Sequence, residues 1–136
     1  MADFDARLEA LSTVLAFVER RAEALGAAHD TALRATLIVE ELFVNCVRHG
    51  RAPATSSVHV ELQAAPGDEL ELAFEDHGIA CDPFSHLADA THRRAPEDRP
   101  VGGLGVVLID GFSLRHEYRR RGTRNCVRVW LARGSD

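Results

Sequence analysis

LRATLIVEELFVNCVRHG, residues 33–50, reads as a helix apolar enough to be buried yet crossed by one polar line. Glu41, Asn45 and His49 recur every fourth residue, and at 3.6 residues per turn they share one side of the rod. A carboxylate and a carboxamide set into an apolar surface cost stability unless charge or hydrogen bonds compensate them. No basic helix elsewhere in the chain offers itself as the partner. A bound ligand or metal ion is therefore one reading of the line; an ordinary amphipathic helix with Glu40 and Glu41 in water is the other.

The rest of the 136-residue chain narrows the chemistry. Its length suits one domain, residues 1–136, with a two-layer core, and 46% hydrophobic with 27% charged residues is a globular balance. A net charge of −5 argues against non-specific nucleic-acid binding. All 16 basic residues are Arg. A chain without Lys forms no Schiff base and has no P-loop lysine, so any phosphate chemistry rests on backbone amides, Arg, His or a metal. Cys46, Cys81 and Cys126 are widely spaced, without a CxxC pair, which suggests neither a disulfide framework nor a structural zinc site. No charged-then-apolar leader and no run of about 20 apolar residues is present. A soluble, cytoplasmic protein without nucleic-acid or membrane partners is expected.

Periodicity supplies the order of elements. Leu8, Leu11, Leu15, Val18, Ala22 and Leu25 step by three and four, predicting a helix over 5–26 that Gly26 stops. Asp30 is the expected N-cap of the second helix, and RAPATSS, 51–57, is a loop by composition. Val58, Val60 and Leu62 alternate with polar neighbours, as do Leu70, Leu72 and Phe74, with the turn APGD between them: a hairpin with one buried face. Residues 85–100 have no apolar period but contain His86, His92, three Arg and two Pro, the composition of a surface loop. Residues 101–111 begin with glycines and continue as an apolar run suited to a short helix. Residues 114–119 and 126–131 read as strands around RRRGTRN. Helices on one face of a mainly antiparallel sheet make the expected fold α+β, a two-layer sandwich.

Three motifs in order carry a resemblance: ExxxNxxxH in VEELFVNCVRHG, then EDHGIACDP at 75–83, then VGGLGVVLI at 101–109. Together they resemble the GHKL ATPase superfamily with its Bergerat nucleotide-binding fold, and within it the small anti-sigma-factor serine/threonine kinases. The likeness spans nearly the whole chain. It implies an ATP site with magnesium. Glu41 falls at the family's general-base position and Asn45 at its magnesium-ligand position, while Arg48 and His49 are placed to reach phosphates; for His49 a plain helix-end role is the alternative. Chemistry agrees, because magnesium keeps several waters and takes other ligands from phosphates, so one amide oxygen from the protein suffices.

The second motif is similar to the family's adenine box. Asp76 would accept from the adenine 6-amino group, Gly78 would let the base approach the backbone, and Asp82 belongs to the same box. Guanine presents an oxygen to that carboxylate and would be rejected. Cys81 departs from the pattern, since the family usually has an aromatic residue there. In the third motif Gly102, Gly103, Leu104 and Gly105 would bare backbone N–H groups to the phosphates. The preceding loop would be the ATP lid, with Arg99 as candidate for the γ-phosphate; a solvated arginine is the other reading. Thr123 matches the family's Gly-Thr before the last strand. The resemblance implies a partner switch in which the chain phosphorylates a small antagonist protein, binds that antagonist or a sigma factor, and forms a homodimer. A non-catalytic ATP-binding regulator is the alternative, and Glu41 speaks against it. A sensor histidine kinase would need a further helical dimerisation domain.

Overall fold

A computed structural model describes residues 1–50, 53, 55–84 and 109–136. Strand β1 (Ala2–Asp5) and a 3₁₀ turn at Leu8–Ala10 lead into helix α1 (Leu11–Ala24), which is followed by helix α2 (His29–His49). Strands β2 (Ser57–Ala65) and β3 (Glu69–Asp76) form the first hairpin, β4 (Arg115–Arg121) and β5 (Arg124–Ala132) the second. All pairings are antiparallel, in the order β1-β2-β3-β5-β4. The two-layer α+β expectation is met.

Alternation along the strands separates the two sheet faces. Val58, Val60 and Leu62 on β2, Leu70, Leu72 and Phe74 on β3, and Val127, Val129 and Leu131 on β5 are buried beneath the helices. Against them α2 lays Thr31, Ala35, Ile38, Val39, Leu42, Phe43 and Cys46, a stripe stepping by three and four, and α1 adds Val14, Val18 and Ala22. The opposite face is polar, with ion pairs Arg115–Glu69 at 2.8 Å and Arg124–Glu75 at 3.0 Å and a further pair between Arg128 and Glu71. Such partly solvated pairs contribute about 0–1 kcal/mol each, so the covered face carries the fold.

Two local readings shift and one holds. The sequence predicts helix from residue 5, but Ala2–Asp5 pair with β2 as an edge strand, Phe4 facing inward at 5.6 Å from the Phe17 ring. Four residues with two Asp carry too weak a period to be read as a strand. Helix α1 ends as expected at a left-handed Gly26 (φ +72°), with Ala27 N–H bonded to Ala22 and Gly26 N–H to Glu23, the paired bonds of a Schellman cap. Asp30 is not the cap of α2. The helix starts at His29, with Asp30 in its first turn, where its charge still favours the dipole. The His29 N–H instead meets the Asp136 carboxylate, at 3.0 and 3.1 Å, a cap supplied from 107 residues away and invisible to local sequence.

Candidate functional site

The polar line of α2 lies beside the buried stripe rather than within it. Glu41 and Asn45 are half-buried, Arg48 and His49 exposed, so its desolvation cost is smaller than a core position would impose. The two nearer members are joined: Asn45 Nδ2 donates to Glu41 Oε1 at 3.1 Å. That bond orients the carboxamide. Its oxygen, Oδ1, has no hydrogen-bond partner among the described residues, and a neutral oxygen of this kind suits a hard cation. Beside Glu41 runs a groove of about 580 Å³, lined by Leu8, Leu11, Leu37, Val44, Arg48 and Phe112 among others. Glu41 therefore stands between Asn45 and a largely apolar recess.

The second part of the site lies where β3 ends. Asp76 shares the helix-covered face with Leu72 and Phe74, and its register partner on β5 is Asn125. Asp76 Oδ1 accepts from Gly78 N–H at 2.8 Å and from Asn125 Nδ2 at 2.9 Å, while Oδ2 has no hydrogen-bond partner among the described residues. One oxygen is thus fixed and the other remains for an incoming donor. Cys46 of α2 is close enough to feel the Asp76 charge. Its thiol is pushed up to about 12, by burial first and by Asp76 second, so it stays neutral and unreactive beside the carboxylate.

Helix and loop are locked together at one point. The Gly50 carbonyl, at the C-cap of α2, accepts from Ile79 N–H at 2.8 Å. A Cβ on Gly78 would come within 2.6 Å of that same carbonyl oxygen. The close approach of backbone to backbone accounts for a glycine here, whatever it does for a bound base. Arg120 Nη1 closes the turn from the sheet side by donating to the Gly78 carbonyl at 2.8 Å. Asp82 accepts from Phe84 N–H at 2.8 Å, and Phe84 stacks on His116 at 3.9 Å between ring centroids. His116 in turn bonds Asp110 at 3.1 Å, so one imidazole holds both chain segments that flank residues 85–108.

Asn125 is the residue that sequence reading passed over. It is buried, and besides Asp76 its Nδ2 donates to the Ile79 carbonyl at 2.8 Å, while its Oδ1 accepts from Cys81 N–H at 3.2 Å and Tyr118 Oη–H at 2.5 Å. One carboxamide thereby sets the strand end, the turn and the edge strand. A buried Asn two residues past a hairpin turn, among alternating apolar positions, was the available signal. Thr123, the residue expected to approach nucleotide, lies exposed in the turn between β4 and β5. Arg99, Gly102, Gly103, Leu104 and Gly105 lie outside the described residues. Removing the Asn125 amide strands up to four polar partners, so Asn125→Ala is expected to cost about 2–3 kcal/mol, a fall in Tm of roughly 10 °C by calorimetry.

The chain is an α+β sandwich with a carboxylate at the end of β3 and a joined Glu–Asn pair on α2. The chain belongs to the histidine kinase-like ATPase domain family, whose pattern matches residues 4–131. This is a family of ATP-binding domains. Similar solved structures include the histidine kinase domain of the blue-light-activated histidine kinase from Erythrobacter litoralis. That domain is 19% identical with a TM-score of 0.57, over 90% of this chain and 61% of that one. The longer structure of the same kinase is 18% identical with a TM-score of 0.59, covering 90% and 42%. A mycobacterial sensor histidine kinase is 19% identical with a TM-score of 0.54, covering 96% and 97%. At these identities the likeness is one of fold, and the chain spans less than two thirds of each of the two Erythrobacter structures. No curated protein matches the chain in sequence. Among the described residues no helix is long and apolar enough to cross a membrane.

Proposed function

We propose that the chain is an ATP- and magnesium-dependent serine/threonine-protein kinase of the anti-sigma-factor type, acting on a small antagonist protein in a partner switch. The observation that carries this reading is the Glu41–Asn45 pair. A domain that only holds nucleotide has no need of a carboxylate beside the metal ligand. Here the Asn45 amide N–H₂ is spent on Glu41, which leaves the Asn45 oxygen for magnesium and keeps the glutamate at the border of the groove. The fit to a hard ion rests on that oxygen. Magnesium, when bound, would neutralise phosphate charge.

The remaining roles belong to the chain itself. Asp76 Oδ2 would accept from the adenine 6-amino group while Gly78 N–H and Asn125 hold Oδ1 still. Gly102, Gly103 and Gly105 would offer backbone N–H groups to the phosphates, with Leu104 between them, Arg48 and Arg99 would add positive charge, and His49 would offer a ring N–H. Thr123 would touch the nucleotide from the hairpin. Glu41 would take the proton of a substrate hydroxyl as its oxygen bonds the γ-phosphorus and the bond to the β-phosphate breaks, releasing ADP. A carboxylate is a weak base, but the transition state is loose and positioning dominates. The homodimer, the antagonist, the sigma-factor partner and a cytoplasmic setting belong to this same reading.

The test is transfer from γ-labelled ATP with magnesium, in lysate of the source cells. A labelled small protein whose label survives acid is expected, as phosphoserine and phosphothreonine do and phosphohistidine does not. The label should be lost with Glu41→Ala and with Asn45→Ala. An acid-labile label points to histidine transfer, and ATP binding without any transfer favours the non-catalytic regulator.

A further inference from the structure

On the sheet face turned away from the helices, two imidazoles meet that the nucleotide site does not use. His59 on β2 is buried, and its Nδ1 lies 2.6 Å from Asp3 Oδ1 on β1. His77, the residue between Asp76 and Gly78, brings its Nε2 to 3.1 Å from His59 Nε2. The rings stand at 73° with centroids 5.3 Å apart. Register places Asp3 directly opposite His59, so the carboxylate is built into the strand pairing. A carboxylate oxygen can only accept, so the 2.6 Å contact places the ring proton of His59 on Nδ1. The His59 Nε2 lone pair then faces His77.

We propose that His59 and His77 form a chelate for a divalent transition-metal ion of the zinc class, separate from the magnesium position at Asn45. Zinc binds imidazole nitrogen at about 2.0–2.1 Å, and two such bonds from nitrogens 3.1 Å apart meet at an angle of about 100°, close to tetrahedral. Asp3 supplies what metal-bound histidines regularly have, a carboxylate on the second ring nitrogen that fixes tautomer and orientation. With no ion present, His77 Nε2–H donates to His59. On binding, that proton moves to His77 Nδ1, and both rings ligate as neutral imidazoles. Among the described residues no set of three or more His, Cys, Asp or Glu encloses an ion. The chelate is therefore two-sided and open, with water in the remaining positions. Imidazole ligands select zinc, nickel or copper over magnesium. Because His77 directly follows Asp76, a bound ion ties the 77–80 turn to β2.

Zinc titration of the nucleotide-free protein, followed by calorimetry and by the imidazole signals in NMR, decides this without reference to kinase activity. One equivalent is expected, shifting the His59 and His77 rings together and resisting a large excess of magnesium. His77→Gln, at a half-buried position outside the strands, should weaken binding at least tenfold while circular dichroism shows an intact fold. Asp3→Asn should weaken it about tenfold. The chain has seven His, and zinc held by others would leave affinity in His77→Gln at the wild-type level. That result, or rings that do not shift, overturns the proposal.

Discussion

Asp76→Asn is expected to lower ATP affinity by about 100-fold or more while leaving Tm within a few degrees of the wild type. The substitution is isosteric, and its carbonyl oxygen can still accept from Gly78 N–H and Asn125 Nδ2, the two bonds that Oδ1 makes now. What changes is the second position, where an NH₂ replaces Oδ2. Facing the adenine 6-amino group it sets donor against donor, and sites built around one hydrogen bond reject a mismatched partner by several kcal/mol. The same NH₂ could donate to the oxygen of guanine, so the ATP preference should narrow alongside. Titration calorimetry with ATP and GTP measures both. Unchanged ATP affinity would remove Asp76 from the nucleotide site and leave it as the anchor of a turn.

Glu41→Gln should separate binding from chemistry. Gln retains an oxygen that accepts from Asn45 Nδ2, so the 3.1 Å bond and the orientation of the Asn45 oxygen persist. It cannot take a proton from a hydroxyl. Transfer to the protein substrate is expected to fall by about 10²–10⁴-fold, the usual worth of a positioned base, with nucleotide affinity within a factor of about two. Asn45→Ala should instead lose both, because the magnesium-dependent part of binding goes with the ligand. Single-turnover transfer alongside equilibrium binding reads the difference. A Glu41→Gln protein that transfers at the wild-type rate means that the carboxylate serves Asn45 alone.

Much of this site could be read in the chain because its residues sit on regular elements. Glu41 and Asn45 lie four apart on a helix, and helical geometry alone puts them side by side. Asp76 continues the alternation of Leu72 and Phe74, so its face follows from theirs. Asn125 was missed for the opposite reason. Its bonds run to Asp76, Ile79 and Cys81, between 44 and 49 residues away, and its one local signal, being in phase with Val127, Val129 and Leu131, says that it is buried but not what it holds.

Gly78 shows how a turn can be read locally while its surroundings stay hidden. Its place after Asp76 marks a turn from sequence, but the Gly50 carbonyl that a Cβ would strike belongs to the end of another element. The His59–His77 contact is of the same kind. Asp3, His59 and His77 are unremarkable apart, and they meet only because β1 pairs with β2 and the chain turns immediately after β3.

What the sequence determined by itself was periodic or adjacent: two amphipathic helices, two hairpins, the burial of one sheet face, and the helical pairing of Glu41 with Asn45. Apolar spacing of 3.6 and of 2 dictates those without reference to distant parts of the chain. Only the tertiary structure decided the edge strand Ala2–Asp5, the cap that Asp136 places on α2, the Asn125 hub, and the clasp of Gly50 on the turn carrying Asp76. Each is a hydrogen bond between segments far apart in the chain. Such bonds depend on strand register and helix placement, which packing of the whole core settles and no local pattern records.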